Sequence, residues 1–255
     1  MDSVPDPRPP LDAARLPARV EVLDAAPSTN AVVAERARAG AAAGLVVVAE
    51  HQTHGRGRLD RSWETPARAG LTFSLLLRPE LSPERWPWLP LWTGYAVHAA
   101  LADRLPGLGL KWPNDVLVED RKLAGILVER VETATGPVAV VGIGLNVSLT
   151  REELPVDNGT SIALETGEPD PDRTGILAGL LASLEASAPL LDDAAALRSA
   201  YTGACSTLGR RVRVEVPAGA PLVGTAEGID ADGRLLVEAA GGVVAVGAGD
   251  VVHVR

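Results

Sequence analysis

From Leu208 onward, apolar residues occur only in short Val-rich runs, at 212–216, 222–226, 235–239, 243–246 and 251–254, each set off from the next by Gly or Asp. Runs this short, closed by turn signals and repeated in succession, predict a small all-β barrel of about fifty residues. The rest of the 255-residue chain has a different grain, with longer apolar runs alternating with helical stretches, and is expected to form an α+β domain with a mixed sheet. The expected division is a flexible lead-in over 1–19, rich in Pro, Arg and Ala, a main domain over 20–206, and the barrel over 207–255.

Within the main domain, buried strands are expected at 21–24, 45–49, 71–77, 116–118, 123–128 and 138–147, and helices at 31–39, 89–105, 172–186 and 192–204. Ser28-Thr29-Asn30 stands where a helix N-cap would, a position that also aims hydroxyls and backbone N–H groups at anything bound there. Pro113 disrupts regular structure, so Lys111, Asn114 and Asp115 are expected on an irregular stretch. Lys122 should lie just inside the strand that follows the turn at 119–121. Gly142-Ile143-Gly144 is not read as a dinucleotide fingerprint, because the third glycine and the following helix are missing.

Between the second and third strands runs HQTHGRGRLDRSW, from His51 to Trp63, with Arg56, Arg58 and Arg61, two glycines and the only glutamine of the chain, Gln52. Guanidinium forks suit phosphate and carboxylate oxygens, and Gly55 and Gly57 let backbone approach a ligand closely. Of 24 basic residues only Lys111 and Lys122 are lysine. A chain that uses arginine almost everywhere has kept a compact ammonium in one stretch, where a charge must sit against a reacting group. Asn30, Asn114 and Asn146 fall in the same motif-like segments.

Other chemistries are excluded. The formal net charge of −9 argues against the basic footprint of nonspecific nucleic-acid binding. The apolar runs fall short of the ~18 residues that span a bilayer, and no secretory leader is visible, so a cytoplasmic protein is expected. Cys205 is the single cysteine, which rules out an intramolecular disulfide. There is no Walker A sequence, kinase loop, H-E-x-x-H or G-x-S-x-G, and the four histidines have no convincing triad partners. Catalysis by positioning and charge neutralisation, without a protein nucleophile, fits best.

The chain resembles the biotin protein ligases from about Val20 to Arg255. The resemblance is carried by STN at Ser28–Asn30, GRGR at Gly55–Arg58 with Trp63, KWPND at Lys111–Asp115, RKLAGIL at Arg121–Leu127, GIGLNV at Gly142–Val147 and, more weakly, GTSI at Gly159–Ile162, in the family's order. It implies a class II aminoacyl-tRNA-synthetase-like catalytic domain followed by an SH3-like barrel. The implied reaction joins biotin to ATP as biotinyl-5′-AMP and passes it to a lysine of a biotin carboxyl carrier domain. Biotin, ATP and Mg2+ are the implied substrates and cofactor, the ion being held mainly by ATP phosphates with its protein ligands unassigned.

Carried over by motif, Ser28, Thr29, Asn30, Gln52, Arg56, Gly57, Arg58, Lys122 and Gly125 would bind biotin. Arg56, Arg58, Trp63, Lys111, Asn114 and Asn146 would serve ATP and the adenylate. Lys122, Arg58, Lys111 and Asp115 would carry the chemistry, Asp115 by orienting the incoming lysine or through an outer-sphere metal contact. Leu59-Asp60 stands where many members have Arg-Gly, which weakens the loop's positive charge. Regulatory members carry an N-terminal winged helix, and only about twenty residues precede the catalytic part here, so the chain is not expected to repress transcription. A monomer or homodimer is expected, with no nucleic-acid or membrane partner.

Two other readings share these features. A lipoate ligase or octanoyltransferase would use the same fold, although a transferase needs a thiol nucleophile and Cys205 has no activating neighbours in sequence. A non-catalytic biotin-binding module is disfavoured by the retention of both lysines and all three loop arginines.

Overall fold

In chain order the strands of the computed structural model are β1 (Val20–Leu23), β2 (Val46–Ala49), β3 (Gly70–Leu77), β4 (Leu108–Lys111), β5 (Asp115–Val118), β6 (Arg121–Thr133) and β7 (Gly136–Asn146). They continue with β8 (Arg211–Glu215), β9 (Leu222–Ile229), β10 (Leu235–Ala239), β11 (Gly242–Val246) and β12 (Asp250–His253). The helices are α1 (Thr29–Arg38), α2 (Trp88–Leu101), α3 (Ile162–Thr166), α4 (Arg173–Ser187) and α5 (Ala194–Ala204). The structure describes residues 8–59, 61–216 and 220–254. Two units result, one from the chain up to Pro79 with Asp120–Ala182, the other from Glu80–Glu119 with the chain from Ser183 onward.

In the first unit five strands run in the order β1-β2-β3-β7-β6, parallel between β1 and β2 and antiparallel elsewhere. Val46–Ala49 is buried throughout and Gly70–Leu76 likewise, as expected of apolar runs covered on both faces. Helix α1 lays Val33, Ala34 and Ala37 against Val47, Leu76, Val138 and Val140. Further along the same face the side chains become small. Thr72 lies opposite Gly144 and Ser74 opposite Gly142, while Gly125 lies opposite Gly144 and Leu127 opposite Gly142. Because side chains alternate across a strand with period two, this Gly-X-Gly spacing hollows one face of the sheet beside the start of α1.

The lead-in expected to be flexible is docked from Arg8 onward, a correction to the sequence reading; residues 1–7 lie outside the described residues. The cause is a buried ion pair. Glu50 Oε2 meets Arg173 Nη1 at 2.8 Å, both side chains 5% exposed. Glu50 Oε1 accepts the Leu11 N–H at 2.6 Å and Arg173 Nη2 donates to Pro9 O at 2.7 Å. Two buried charges thus complete their hydrogen bonding with the backbone of the N-terminal segment.

In the second unit β4 and β5 form a tight antiparallel pair with Lys111 opposite Asp115. This corrects the expected irregular stretch: Trp112, Pro113 and Asn114 form the turn, with a cis peptide bond between Trp112 and Pro113, and the strands on either side stay regular. The last five strands form an antiparallel sheet in the order β11-β10-β9-β8-β12. Trp112 is tied to it, donating its N–H to Thr207 Oγ1 at 3.1 Å and its indole Nε1–H to Gly233 O at 3.0 Å. Trp88 Nε1 donates to Ala231 O at 2.9 Å. Thr207 Oγ1 also lies 3.1 Å from His253 Nε2. The compact units therefore differ from the division at 206/207, because these bonds bind 80–119 to the C-terminal sheet.

Arg173–Leu191, helix α4 and the turn after it, is long and apolar enough to cross a membrane by length and composition. Its Leu177, Leu180, Leu181 and Leu184 are buried along one face, while Gly179, Ala182 and Glu185 are exposed on the other.

Candidate functional site

Helix α1 begins against the hollowed face. Ser28 has the extended backbone of an N-cap but makes no side-chain cap bond. Gln52 supplies that acceptor instead, its Oε1 taking the Thr29 N–H at 2.7 Å, which satisfies one of the donors a helix start leaves open. Ser28, Thr29 and Asn30 are all buried. Asn30 lies on Gly142, where a Cβ would stand 2.2 Å from its Oδ1. Three of the expected residues and Gln52 thus meet at one corner.

The arginine loop continues from that corner. Gly55 crosses the returning chain so closely that a Cβ there would be 2.1 Å from Trp63 O and 2.8 Å from Gln52 Nε2. The loop closes on itself through Trp63 N–H to Gly55 O at 2.9 Å and Gly57 N–H to Arg61 O at 2.7 Å. With Leu127 and Glu129 of β6 it lines a cleft of about 650 Å³ to which Arg56, Gly57, Arg58 and Arg61 contribute, within the usual size for small-molecule sites. Leu59 is exposed with φ 55°; Asp60 lies outside the described residues.

Trp63 lies on the paired glycines, a Cβ on Gly144 falling 2.4 Å from its Cε2 and one on Gly125 3.0 Å from its Cζ3. Lys122 Nζ is 5.7 Å from the centroid of the same ring, within range of the ring's attraction for a cation. Gly144→Ala is expected to lift the indole and cost about 1–3 kcal/mol by overpacking. Hydroxyl-radical footprinting should then show increased modification at Trp63; unchanged protection would mean that the sheet absorbs the methyl elsewhere.

The backbone of Lys122 is clamped from both sides, its N–H donating to Asn158 O at 2.7 Å and its carbonyl accepting the Thr160 N–H at 2.9 Å. Asn146 holds the same segment, Nδ2 donating to Thr160 O at 2.9 Å. Its neighbour Arg121 forks onto Glu165 at 2.9 and 3.0 Å. Burial pushes the Glu165 carboxyl up, but the Arg121 fork, the Thr160 hydroxyl and the charges of Arg121 and Arg151 outweigh it and hold it below its ordinary value.

Lys111, Asn114 and Asp115 belong to the second unit. Lys111 Nζ lies 3.7 Å from Asp115 Oδ2, with side chains 20% and 13% exposed, and Asn114 is in the turn between them. Cys205 is buried, and burial raises its thiol pKa, the opposite of what a nucleophile needs. Among the described residues, no three His, Cys, Asp or Glu side chains converge as a metal site.

Sequence reading missed Glu129 and Ser74. Glu129 Oε2 accepts from both Arg56 Nη2 and Asn30 Nδ2 at 2.7 Å, so it joins the loop to the start of α1. Its signal was available: at positions 125, 127 and 129 of one strand, an acid shares a face with Gly125. Ser74, fully buried, stood out less in the run GLTFSLLL.

Residues 22–146 match the Biotin/lipoate A/B protein ligase family and residues 207–254 the Biotin protein ligase C terminal domain. The chain is 42% identical over 244 residues to the biotin--[acetyl-CoA-carboxylase] ligase of Mycobacterium tuberculosis, covering 93% of this chain and 90% of that protein. It is 33% identical over 226 residues to the bifunctional ligase/repressor BirA of Escherichia coli, covering 86% and 69%. Among solved structures it resembles the biotin protein ligase from Aquifex aeolicus in complex with biotin and ATP, with a TM-score of 0.78 and 28% identity over 92% of this chain and 98% of that one.

Proposed function

The chain belongs to the biotin/lipoate A/B protein ligase family, and from that premise we propose that it attaches biotin to a carrier lysine in two ATP-dependent steps. In the first, a biotin carboxylate oxygen attacks the α-phosphorus of ATP, and the bond to the bridging oxygen of pyrophosphate breaks. In the second, the neutral amine of a carrier lysine attacks the acyl carbon of biotinyl-5′-AMP. The C–O bond breaks, AMP leaves, and the amide nitrogen gives up its proton.

The observation that supports this most is that one carboxylate, Glu129, is shared between an arginine-lined cleft and the neutral polar corner of Thr29, Asn30 and Gln52. Biotin has the matching ends, an uncharged ureido ring and a carboxylate. We assign Ser28, Thr29 and Gln52 to the ring, with Asn30, Gly57 and Gly125 shaping the pocket. Arg56, Arg58 and Lys122 take the carboxylate and the charge that develops on the acyl phosphate. Trp63 and Asn146 are assigned to the adenylate, Lys111 and Asn114 to the ATP phosphates, and Asp115 to the incoming amine. Mg2+ would be carried mainly by those phosphates and would neutralise their charge.

The finer architecture is read as a class II aminoacyl-tRNA-synthetase-like catalytic part and an SH3-like barrel. The macromolecular partner is a biotin carboxyl carrier protein or domain, met in the cytoplasm by a monomer or homodimer without nucleic acid or membrane. Biotin-dependent exchange of labelled pyrophosphate into ATP tests the reading, and exchange is expected with biotin alone among biotin, lipoate and octanoate. Exchange with lipoate or octanoate and none with biotin overturns it.

A further inference from the structure

A chain of side-chain hydrogen bonds runs from the loop to the helix start, through Arg56, Glu129, Asn30, Ser74 and Thr29, with Gln52 Oε1 beside its last hydroxyl. Its direction can be worked out from its ends. The Asn30 amide gives Nδ2–H to Glu129 Oε2 at 2.7 Å and faces Leu127 O at 3.3 Å with the same nitrogen. Both partners are acceptors, so a flipped amide would set oxygen against oxygen twice, and the orientation is fixed.

Asn30 Oδ1 therefore points at Ser74 Oγ, 2.6 Å away, and having no hydrogen of its own it must receive the serine's. That leaves Ser74 Oγ to accept at its other contact, Thr29 Oγ1 at 2.7 Å. The Thr29 hydrogen is thereby spent on Ser74. Its contact with Gln52 Oε1 at 3.1 Å is the longest of the set, and that oxygen already holds the Thr29 N–H at 2.7 Å. Thr29, Asn30 and Ser74 are 3%, 4% and 0% exposed, so water does not reset the order.

We propose that Glu129, Asn30 and Ser74 are positioning residues that turn the Thr29 hydroxyl into an obligate acceptor toward the ligand and so select a ureido N–H. The inference rests on the assignment of biotin to this pocket. A donor-poor ligand finds no hydrogen at Thr29, whereas an N–H finds a lone pair whose orientation is fixed before binding. Discrimination between ligands with and without one N–H is large where a buried group is left unpaired.

The experiment compares biotin with an analogue methylated on its ureido nitrogens, in pyrophosphate exchange, for the wild type, Ser74→Ala, Ser74→Cys and Glu129→Gln. Cysteine refills the volume but is a weak donor, which separates packing from hydrogen bonding. The wild type is expected to prefer biotin by about a hundredfold, and both Ser74 variants should raise the biotin KM about tenfold while cutting the preference by a similar factor. Their kcat and KM for ATP should stay within about twofold, as expected for a group that acts on ligand binding alone. Glu129→Gln, which removes the acceptor-only carboxylate at a half-exposed site, should move the same ratio in the same direction. Ser74 variants that turn over biotin with an undiminished preference overturn the relay and leave the biotin assignment intact. A wild type that uses neither compound overturns both.

Discussion

Lys122→Arg should lower biotin-dependent pyrophosphate exchange by about a hundredfold to a thousandfold, the range seen when one stabilising donor is lost from a developing oxyanion. The backbone at this position is held by Asn158 and Thr160, so the side chain cannot retreat. Its ammonium stands beside Trp63 and 3.4 Å from the point where a Gly125 Cβ would be. A planar guanidinium is longer, spreads its charge over a fork that wants paired acceptors, and does not present the same compact point charge there. The melting temperature should stay within about 2 °C, since a partly exposed cation is exchanged for another. Undiminished exchange by the folded variant would take Lys122 out of the reacting site.

The second large effect falls on stability. Glu50→Ala should destabilise the protein by about 3–5 kcal/mol, because it leaves the Arg173 guanidinium buried without its counter-charge. For a chain of this size that corresponds to a fall of roughly 10 °C in Tm, measurable by calorimetry. The double variant Glu50→Leu with Arg173→Met should be less harmed than either single change, since it removes both charges together. Hydrogen exchange at the Leu11 amide, which Glu50 accepts at 2.6 Å, should speed up in the single variant. Single and double variants of equal stability would show that the ion pair is not what docks the N-terminal segment.

In the sequence, the candidate site residues were signalled by residue types that chemistry restricts. Gln52, the loop arginines and Lys122 stood out because few other residues offer the same chemistry, and in the fold Gln52 lies against Gly55 and Lys122 beside Trp63, at the two ends of the arginine loop. The strand pattern was legible for the same kind of reason, since β2 and β3 are unbroken apolar runs and the five C-terminal runs became β8 to β12. What escaped was set by partners distant in sequence. Glu50 looks like any acid ending a strand until Arg173, 123 residues away, is folded against it. Pro113 reads as a disruption until the register of β4 and β5 is seen to leave it in the turn between them. Glu129 and Ser74 gain their meaning only from the register that puts them on the face with Gly142 and Gly125.

Trp112 and Trp88 spend their indole hydrogens on Gly233 and Ala231, in the turn between β9 and β10 of the C-terminal sheet. For anyone shortening or recombining this protein, that makes the obvious cut at 206/207 a poor seam. A fragment ending there keeps both tryptophans but strips the acceptors from two indole N–H groups, and it strips the hydroxyl of Thr207 from the backbone next to Lys111. Such a piece should aggregate or need a replacement partner, whereas a chimera that exchanges 80–119 together with 183–254 carries every one of these acceptors with its donor.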